Sequence, residues 1–405
     1  MNCRHCGKEL QYEFIDLYNS PPSNSYLTKE QLNEPEVLYP LKLFVCENCF
    51  LVQIDEYKKS TDIFNSEYAY FSSYSSSWLE HAKKYVNMIT EKIKLNKSSF
   101  VVEIASNDGY LLQYFKEKNI PCLGIEPTAS TAKAAREKGI EVIEKFFNES
   151  LAQTLKKADL IVGNNVLAHV PDINNFVLGL KTTLKPSGII TMEFPHLLNL
   201  IKLNQFDTIY HEHFSYLSLI ATQKIFNLQG LKIFNVEELS THGGSLRIYA
   251  THNENTLLAI EDSVSDIINK EKAAKLDTIE GYKGFEEKVR EIKWDFLDFL
   301  LRARKEGKKI AAYGAAAKGN TFLNYCGIRN DIIDFVIDAS PHKQGKYLPL
   351  SYIPIVSEDV LKKERPDYII ILPWNLKDEI VEQLGYTKDW GAKFVTAIPG
   401  VLRGL

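Results

Sequence analysis

Four cysteines near the amino terminus have the spacing of a metal site. Cys3 and Cys6 form one C-x-x-C pair, and Cys46 and Cys49 form a second pair further along the chain. Each pair can sit in a tight turn and offer two thiolates to one tetrahedral ion, as in zinc modules. Four sulfurs leave no open coordination position, so the sequence predicts a structural zinc ion. The alternative is two unrelated cysteine pairs.

A second concentration of titratable side chains lies in the middle of the chain, in Tyr210-His211-Glu212-His213. If this segment is extended, His211 and His213 share one face, and Tyr210 and Glu212 share the other. Three interpretations fit the residue types: a metal site of two histidines and a glutamate, ordinary packing, or an acid/base site. A histidine with a pKa near 6.5 suits the last of these, and the residues alone leave all three open.

Acidic residues also follow two predicted strands in the first half of the chain. A strand at 100–104 leads into a loop that ends at Gly109, and a strand at 121–126 ends at Glu126. Open α/β sheets bind nucleotides at the carboxyl ends of their strands. The G-x-G-x-x-G fingerprint is missing here, which argues against a dinucleotide and its pyrophosphate. An acid after the second strand suits a ribose diol, so an adenosine with a sulfonium tail fits. A plain strand–helix turn is the alternative.

A comparable loop, from Tyr313 to Asn320, lies in the last third of the chain. Its glycine and alanine residues permit a close approach of the backbone to a ligand. Lys318 places a positive charge near the start of the predicted helix, which is the outline of an anion site. Asp338 ends the next strand at a spacing seen with NAD, but the fingerprint of a dinucleotide site is missing here too.

Alternating strands and helices must position these loops. Apolar runs predict strands at 100–104, 121–126, 158–163, 188–194, 309–313, 332–337 and 368–372. Helical periodicity between 256 and 308 is divided by Gly281 and Gly284 into two helices. This pattern predicts an α/β fold with two doubly wound parallel sheets. We expect three domains: a zinc-binding module at 1–70, a first α/β domain at 71–245 and a second at 246–405.

The composition excludes several classes of protein. The chain is 45% hydrophobic and 25% charged, which is typical of a globular protein and not of a disordered one. Its formal net charge of -4 does not favour nucleic-acid binding. No apolar run reaches the roughly 18 residues of a membrane helix, and the polar amino terminus lacks a secretory signal. We expect a cytoplasmic protein without a nucleic-acid or membrane partner; the oligomeric state is not readable, and a monomer is slightly favoured.

Together these motifs resemble a known family. The E-x-x-x-N-D-G-x-L-L string that starts at Glu103 is similar to motif I of class I S-adenosylmethionine-dependent methyltransferases. Nearly the whole chain resembles the sugar C-methyltransferases that act on nucleotide-linked 4-keto-6-deoxy sugars. The shared motifs, in family order, are the four cysteines, Ser106-Asn107-Asp108-Gly109, Tyr210-His211-Glu212-His213, His242-Gly243-Gly244-Ser245-Leu246-Arg247 and the loop from Tyr313 to Asn320. Ala105 departs from the common glycine, and Phe71 stands where some members have a polar residue.

The resemblance implies a reaction and its residues. Methylation of a carbon beside a ketone needs a base that removes a proton from that carbon. By resemblance, His213 is the base for the C3 proton, and Tyr210 and Glu212 orient the sugar or relay protons. Tyr70 would cover the sugar, and His169, after the fourth strand, would join the site. Packing is the alternative for Tyr70 and His169.

The resemblance also implies binding residues and a substrate. A Rossmann-like class I domain would hold S-adenosylmethionine through Glu103, Ala105, Asn107, Gly109, Glu126, Phe146 and Asn165. A second Rossmann-like domain would hold the nucleotide diphosphate of the sugar through Arg247, Tyr313, Lys318 and Asn320. The expected carrier is deoxythymidine diphosphate, and the expected product is a branched-chain deoxysugar. The alternatives are an O- or N-methyltransferase on a related nucleotide-sugar, a zinc-ribbon RNA methyltransferase, and an oxidoreductase.

Overall fold

The computed structural model describes residues 1–59 and 71–403. These residues form two compact units, each assembled from separate stretches of the chain. The stretches of the first unit are Met1–Leu10, Cys46–His196 and Phe214–Gly281. The stretches of the second unit are Gln11–Val45, Leu197–His213 and Tyr282–Leu405.

The strands belong to a seven-stranded sheet in the first unit, a six-stranded sheet in the second, and shorter pairings. In chain order they are β1 (Tyr12–Ser20), β2 (Tyr39–Val45), β3 (Val52–Ile54), β4 (Val101–Ile104), β5 (Cys122–Ile125), β6 (Val142–Ile143), β7 (Ala158–Asn164), β8 (Leu184–Pro195), β9 (Ser215–Tyr216), β10 (Leu231–Leu239), β11 (Ser245–His252), β12 (Ile310–Tyr313), β13 (Phe335–Ile337), β14 (Ile355–Val356), β15 (Tyr368–Ile371), β16 (Lys393–Thr396) and β17 (Leu402–Arg403).

The helices alternate with these strands. In chain order they are α1 (Ser76–Lys92), α2 (Leu112–Glu117), α3 (Ala129–Glu137), α4 (Glu149–Ala152), α5 (Ile173–Thr183), α6 (Leu197–Lys202), α7 (Leu219–Leu228), α8 (Asp262–Ala273), α9 (Phe285–Lys305), α10 (Ala317–Cys326), α11 (Glu358–Glu364) and α12 (Lys377–Gln383). Short 3-10 turns lie between them. None of the helices formed by the described residues is both long and apolar enough to cross a bilayer.

The seven-stranded sheet has the order β10-β11-β8-β7-β4-β5-β6. β4 pairs in parallel with β5 and β7, and β8 continues the parallel array beyond β7. β11 runs antiparallel to both of its neighbours. All four residues of β4 are buried, as expected for a strand that helices cover on both faces. The carboxyl ends of β4, β5 and β7 therefore meet at one edge of the sheet.

The six-stranded sheet has the order β14-β13-β12-β15-β16-β17. β12 pairs in parallel with both β13 and β15, and only β17 is antiparallel to its neighbour among the described strands. The winding direction reverses between β12 and β15. Ligands of open α/β sheets bind in the crevice at this reversal, outside the carboxyl ends of the strands.

Local sequence explains why α1 forms where it does. The hydroxyl of Ser75 accepts a hydrogen bond from the Trp78 amide at 3.2 Å, which caps the first turn. Trp78, Tyr85 and Ile89 then lie on the buried side of the helix, together with Ala82 and Val86. This helical spacing packs α1 into the hydrophobic core of the first unit.

The predicted strands are present in both sheets, with shifted ends. The helical stretch between 256 and 308 forms α8 and α9, separated by a 3-10 turn at Ile279–Tyr282. The helix expected from Asn320 begins three residues earlier. The three-domain division stays a prediction, and the two compact units group the chain differently. The first unit extends beyond residue 245, to Gly281, and includes β11, the partner of β8 and β10 in its sheet, whereas residues 11–45 join the second unit.

Candidate functional site

The four predicted zinc ligands lie together in the first unit. Their sulfur atoms are all within 4.8 Å of one another, and the Cys3–Cys49 and Cys6–Cys46 pairs are each separated by 3.5 Å. Four sulfurs bound to one tetrahedral zinc at about 2.3 Å lie roughly 3.8 Å apart. The donor set therefore fits a closed tetrathiolate zinc site.

The same backbone turn presents each cysteine pair. The Gly7 amide donates to the Cys3 carbonyl at 2.9 Å, and the Phe50 amide donates to the Cys46 carbonyl at 2.8 Å. Gly7 and Phe50 both have positive φ, at 74° and 64°. The Gln53 side-chain amide donates to the sulfur of Cys3 at 3.2 Å. Such a contact orients a ligand and lowers its negative charge.

The acidic edge of the first sheet is organised around Glu126. Its two carboxylate oxygens accept the backbone amides of Asn107 and Thr128, each at 2.9 Å. Burial raises the pKa of Glu126, and these two amides oppose the shift. Glu103 is fully buried in β4, and burial raises its pKa well above the usual range. A carboxylate oxygen can accept more than one hydrogen bond, so Glu126 can also receive ribose hydroxyls.

The loop after β4 has a left-handed backbone at three of its positions. The φ angles are 57° at Ala105, 49° at Asn107 and 75° at Gly109. A Cβ atom at Gly109 would lie 2.4 Å from the Cδ1 atom of Ile140 and 3.3 Å from the Cβ atom of Ala135, so a larger residue would require these neighbours to shift. At Ala105, a glycine would adopt this backbone without the cost of about 1 kcal/mol that an L-residue bears. The loop therefore accommodates Ala105 in place of the family's glycine at a modest cost in folding free energy.

The other predicted cofactor residues have different environments. Asn165 directly follows β7, has a φ of 54°, and its Nδ2 lies 2.9 Å from the Nε2 of His242. Phe146 is exposed, whereas the adjacent Phe147 is buried against Phe176, with ring centroids 5.4 Å apart. The exposed side chain of Phe146 is compatible with a cofactor contact, whereas Phe147 belongs to the core.

The segment of residues 210–213, which we call the histidine turn, is not extended. The His213 amide donates to the Tyr210 carbonyl at 2.9 Å, which closes a turn. The condition for two alternating faces, an extended segment, is therefore not met. The rings of Tyr210 and His213 lie together, with centroids 4.0 Å apart, and both are partly exposed. His211 and Glu212 are buried.

The two histidines of this turn are held differently. The Nδ1 of His213 lies 3.0 Å from the Thr208 carbonyl, which can only accept, so Nδ1 carries the proton. The lone pair of the neutral His213 ring is then on Nε2. The Nε2 of His211 instead lies 3.2 Å from the Pro40 carbonyl, beside the Tyr39 ring. Within the described part of the chain, neither histidine joins a three-ligand metal group.

Glu212 is fixed by a residue that sequence reasoning missed. Its Oε1 accepts a hydrogen bond from the side chain of Asn24 at 2.6 Å. The hydroxyl of the nearby Tyr26 donates to the Ala315 carbonyl in the loop after β12, also at 2.6 Å. Both residues come from a turn-rich stretch near the amino terminus, and no local signal links that stretch to Glu212.

At the crevice of the second sheet, three side chains form what we call the crevice cluster: Lys318, Trp374 and Asn375. The Lys318 ammonium donates to the side-chain Oδ1 of Asn375 at 2.7 Å and lies 4.9 Å from the centre of the Trp374 ring. Burial lowers the pKa of Lys318, and the carboxylate of Asp207 opposes this shift. The indole N–H of Trp374 donates to Asp207 at 2.7 Å. The cluster offers a cation and an aromatic face, which are groups that bind phosphate and a base.

Two predicted substrate contacts, Arg247 and Asn320, already have partners within the protein. Arg247 is buried in the first unit, where its guanidinium bonds with Glu193 at 3.0 Å and Glu237 at 3.1 Å. Two carboxylates already balance its charge, and its role as a phosphate contact stays a prediction. Asn320 is also buried, and its side-chain amide donates to the Ser23 carbonyl at 2.5 Å. Asn320 therefore ties the fold together.

The remaining predicted residues have mixed placements. The Tyr313 hydroxyl donates to the Gln383 side chain at 3.2 Å, at the end of β12. His169 ends a 3-10 turn that follows β7 and is partly exposed. Tyr70 lies outside the described residues. The catalytic and binding roles assigned to these residues stay predictions.

Comparisons with known proteins bear on the whole chain. Residues 3–64 match a family described as a putative zinc binding domain, and residues 78–236 match a methyltransferase domain. Residues 240–399 match a C-methyltransferase C-terminal domain. The C-methyltransferase NovU of Streptomyces niveus is 31% identical over 406 residues, which cover 98% of this chain and 95% of that protein. This chain belongs to the C-methyltransferase family.

Two solved structures are similar to part of this C-methyltransferase. A magnesium protoporphyrin IX methyltransferase from Synechocystis PCC 6803 with bound SAH is 15% identical, covering 43% of this chain and 83% of that chain, with a TM-score of 0.36. The PH0226 protein from Pyrococcus horikoshii OT3 is 14% identical, covering 45% of this chain and 94% of that chain, also with a TM-score of 0.36.

Membership in the family decides between the functional alternatives. The protein is an S-adenosylmethionine-dependent C-methyltransferase, so O- or N-methylation and NAD-dependent oxidation are set aside. It has a class I methyltransferase domain, a second Rossmann-like domain and a structural zinc site. The anchored carboxylate of Glu126 and the left-handed loop after β4 fit an adenosine without phosphates. The predicted holders of the cofactor at this edge remain Glu103, Ala105, Asn107, Gly109, Glu126, Phe146 and Asn165.

Proposed function

We propose that this C-methyltransferase methylates the carbon next to the ketone of a nucleotide-linked 4-keto-6-deoxy sugar. The proposed carrier is deoxythymidine diphosphate, and the product is a branched-chain deoxysugar. The observation that carries the proposal is the histidine turn. It combines a histidine of fixed tautomer with a tyrosine at the partly exposed surface of the second unit.

His213 has the properties of a base for a carbon acid. Because its Nδ1–H is donated to the Thr208 carbonyl, the ring is fixed in orientation and its basic lone pair is on Nε2. The proton on C3 of the sugar moves to Nε2, and the electron pair left on carbon is delocalised onto the ketone oxygen. The adjacent Tyr210 is the candidate donor to that oxygen, since its hydroxyl can donate a hydrogen bond.

S-adenosylmethionine, when bound, supplies an electrophilic methyl group on a sulfonium, and the S–CH3 bond breaks as the C–CH3 bond forms. The residues of this chain then have two tasks, removal of the proton and alignment of the sugar. After transfer, the proton on His213 passes to solvent, which restores the neutral ring.

The crevice cluster supports a nucleotide-linked substrate. Lys318 provides a positive charge for a diphosphate, and Trp374 provides an aromatic face for a base. Both lie after strands β12 and β15, where an open α/β sheet binds its ligands. A free sugar without the nucleotide would leave these groups unused, so we expect it to be a poor substrate.

The test is product analysis with S-adenosylmethionine labelled with carbon-13 in the methyl group. The purified protein is incubated with a panel of nucleotide-linked keto sugars, and the products are analysed by NMR spectroscopy. A label coupled to a ring carbon next to the ketone supports the proposal. A label on oxygen or nitrogen, or transfer to the free sugar at an equal rate, contradicts it.

A pair of variants controls this experiment. His213→Ala removes the proposed base and is expected to reduce turnover by at least about a thousandfold, the upper part of the range for general base catalysis. His342→Ala removes an exposed histidine of the same unit and is expected to keep the wild-type rate. Equal rates for the two variants would remove His213 from the mechanism.

A further inference from the structure

Asp207 lies where contacts from the crevice cluster and from the histidine turn converge in the second unit. Only 1% of its surface is exposed. One carboxylate oxygen accepts the indole N–H of Trp374 at 2.7 Å. Asp207 belongs to the 3-10 turn Phe206–Thr208, which is separated from the histidine turn by Ile209 alone. The resemblance to the family assigned no role to this residue.

Two further hydrogen bonds fix the backbone around Asp207. The Thr208 carbonyl accepts the Nδ1–H of His213 at 3.0 Å. The Ile209 carbonyl accepts the hydroxyl of Thr321 at 2.9 Å, and Thr321 belongs to α10, the helix that also carries Lys318. The short segment before the histidine turn is therefore held both by α10 and by the loop after β15.

The charge of Asp207 matters to Lys318. Removing an ammonium from water disfavours its charged form, and a nearby carboxylate compensates. Burial lowers the pKa of Lys318, whereas Asp207 raises it. Lys318 in turn lowers the pKa of Asp207, which burial raises to about 6. The two groups thus favour each other's ionised form.

We propose that Asp207 is a positioning residue that holds the Trp374 ring, over which the Lys318 ammonium lies, in place for the nucleoside diphosphate of the substrate, and that supports His213 through Thr208. The proposal rests on the proposed function, because it takes a nucleotide-linked substrate as given. Asp207 itself touches neither the sugar nor the methyl donor. Its effect is carried by the side chains that it holds and by the carbonyl that follows it.

Three variants separate the contributions. Asp207→Asn removes the charge but keeps an oxygen that can accept the Trp374 indole, whereas Asp207→Ala removes both. Trp374→Phe keeps the charge and the aromatic ring but removes the N–H donor. Asp389→Asn, at an exposed aspartate of the same unit, is the matched control.

The first measurement is the affinity for thymidine diphosphate by titration calorimetry, with the affinity for S-adenosylhomocysteine as the reference. We expect Asp207→Asn to weaken the binding of thymidine diphosphate about tenfold, which is 1.4 kcal/mol, and to leave the affinity for S-adenosylhomocysteine unchanged. Asp389→Asn should change neither affinity. If Asp207→Asn binds thymidine diphosphate like the wild type, the inference is overturned. If the wild type binds S-adenosylhomocysteine but no nucleoside diphosphate, the proposed function fails first.

The second measurement separates positioning from folding. With saturating S-adenosylmethionine and varied nucleotide-sugar, we expect Asp207→Asn to raise the KM for the nucleotide-sugar about tenfold while kcat stays within about twofold, because the Trp374 hydrogen bond and the Thr208 carbonyl remain. Asp207→Ala should raise KM and also lower kcat about tenfold. The double variant of Asp207→Ala with Trp374→Phe should be no worse than Asp207→Ala alone, since both changes remove the same bond. Additive losses, or equal losses of kcat in Asp207→Asn and Asp207→Ala, would contradict the proposal.

Discussion

Replacing Gly314 by alanine should disrupt the crevice of the second sheet more than an equal change elsewhere. Gly314 has a φ of +90°, and a Cβ atom there would lie 2.5 Å from Cδ and 2.7 Å from Cγ of Pro373. The left-handed backbone costs an alanine about 1–2 kcal/mol, and overpacking against a ring adds about 1–3 kcal/mol. We therefore expect the free energy of unfolding of Gly314→Ala to fall by about 2–5 kcal/mol.

A matched glycine isolates the contact with Pro373. Gly345 has a similar φ of +82°, but a Cβ atom there would meet no atom within 4 Å. Gly345→Ala therefore bears the backbone cost alone, about 1–2 kcal/mol. The difference between the two variants, about 1–3 kcal/mol, is the effect of crowding Pro373.

The assay is urea unfolding followed by fluorescence, with the midpoint and slope compared among the two variants and the wild type. Thymidine diphosphate binding is measured in parallel, because Pro373 directly precedes Trp374. We expect Gly314→Ala to be the less stable variant and the weaker binder. Equal free energies of unfolding for Gly314→Ala and Gly345→Ala, together with unchanged binding of thymidine diphosphate, would refute the close approach of the loops after β12 and β15.

Four further predictions concern the zinc site, the cofactor edge and Asp207. Cys49→Ser should lower the bound zinc from one ion per chain, measured by mass spectrometry of the purified protein; full zinc content would contradict the tetrathiolate site. Glu126→Ala should weaken S-adenosylhomocysteine at least about tenfold by calorimetry, and unchanged affinity would remove Glu126 from the cofactor edge. Ala105→Gly should raise the free energy of unfolding by about 1 kcal/mol, and a loss of stability would contradict the left-handed backbone there. Burial raises the native pKa of Asp207 to about 6, above an unfolded value near 3.9. The wild type therefore loses stability relative to Asp207→Asn as the pH rises from about 4 to 6, by about 2–3 kcal/mol in total; a pH-independent difference in urea midpoints would contradict this pKa.

Local signals account for the parts of the structure that the sequence predicts well. The buried strands β4 and β15 are continuous apolar runs, and the four cysteines occur as two closely spaced pairs. Each signal is complete within a few residues, so no knowledge of the fold is needed to detect it. This is why the predicted α/β sheets and the predicted zinc-binding module are both confirmed.

Long-range pairing explains what the sequence does not predict. The resemblance to the family implies a phosphate contact for Arg247, but this residue lies opposite Glu193 in the pairing of β11 with β8. That register, and not the local motif, decides the partner of Arg247. Likewise, Asp207 accepts its hydrogen bond from Trp374, and Glu212 accepts one from Asn24. Both donors lie in remote parts of the chain.

The histidine turn shows a different limit. Alternation of faces is a property of extended chains, and the types of residues 210–213 do not reveal that they form a turn. The hydrogen bond from the His213 amide to the Tyr210 carbonyl brings together two rings that an extended chain would separate. The role of His213 as the base remains a prediction on which the proposed function depends.

The most direct test of that role is deuterium exchange without methyl transfer. The protein is saturated with S-adenosylhomocysteine and incubated in deuterium oxide with a nucleotide-linked 4-keto-6-deoxy sugar, and the sugar is analysed by mass spectrometry. The account predicts exchange at the carbon next to the ketone for the wild type and for His342→Ala, and its loss in His213→Ala. Exchange at the wild-type rate in His213→Ala, or no exchange in the wild type, would contradict it.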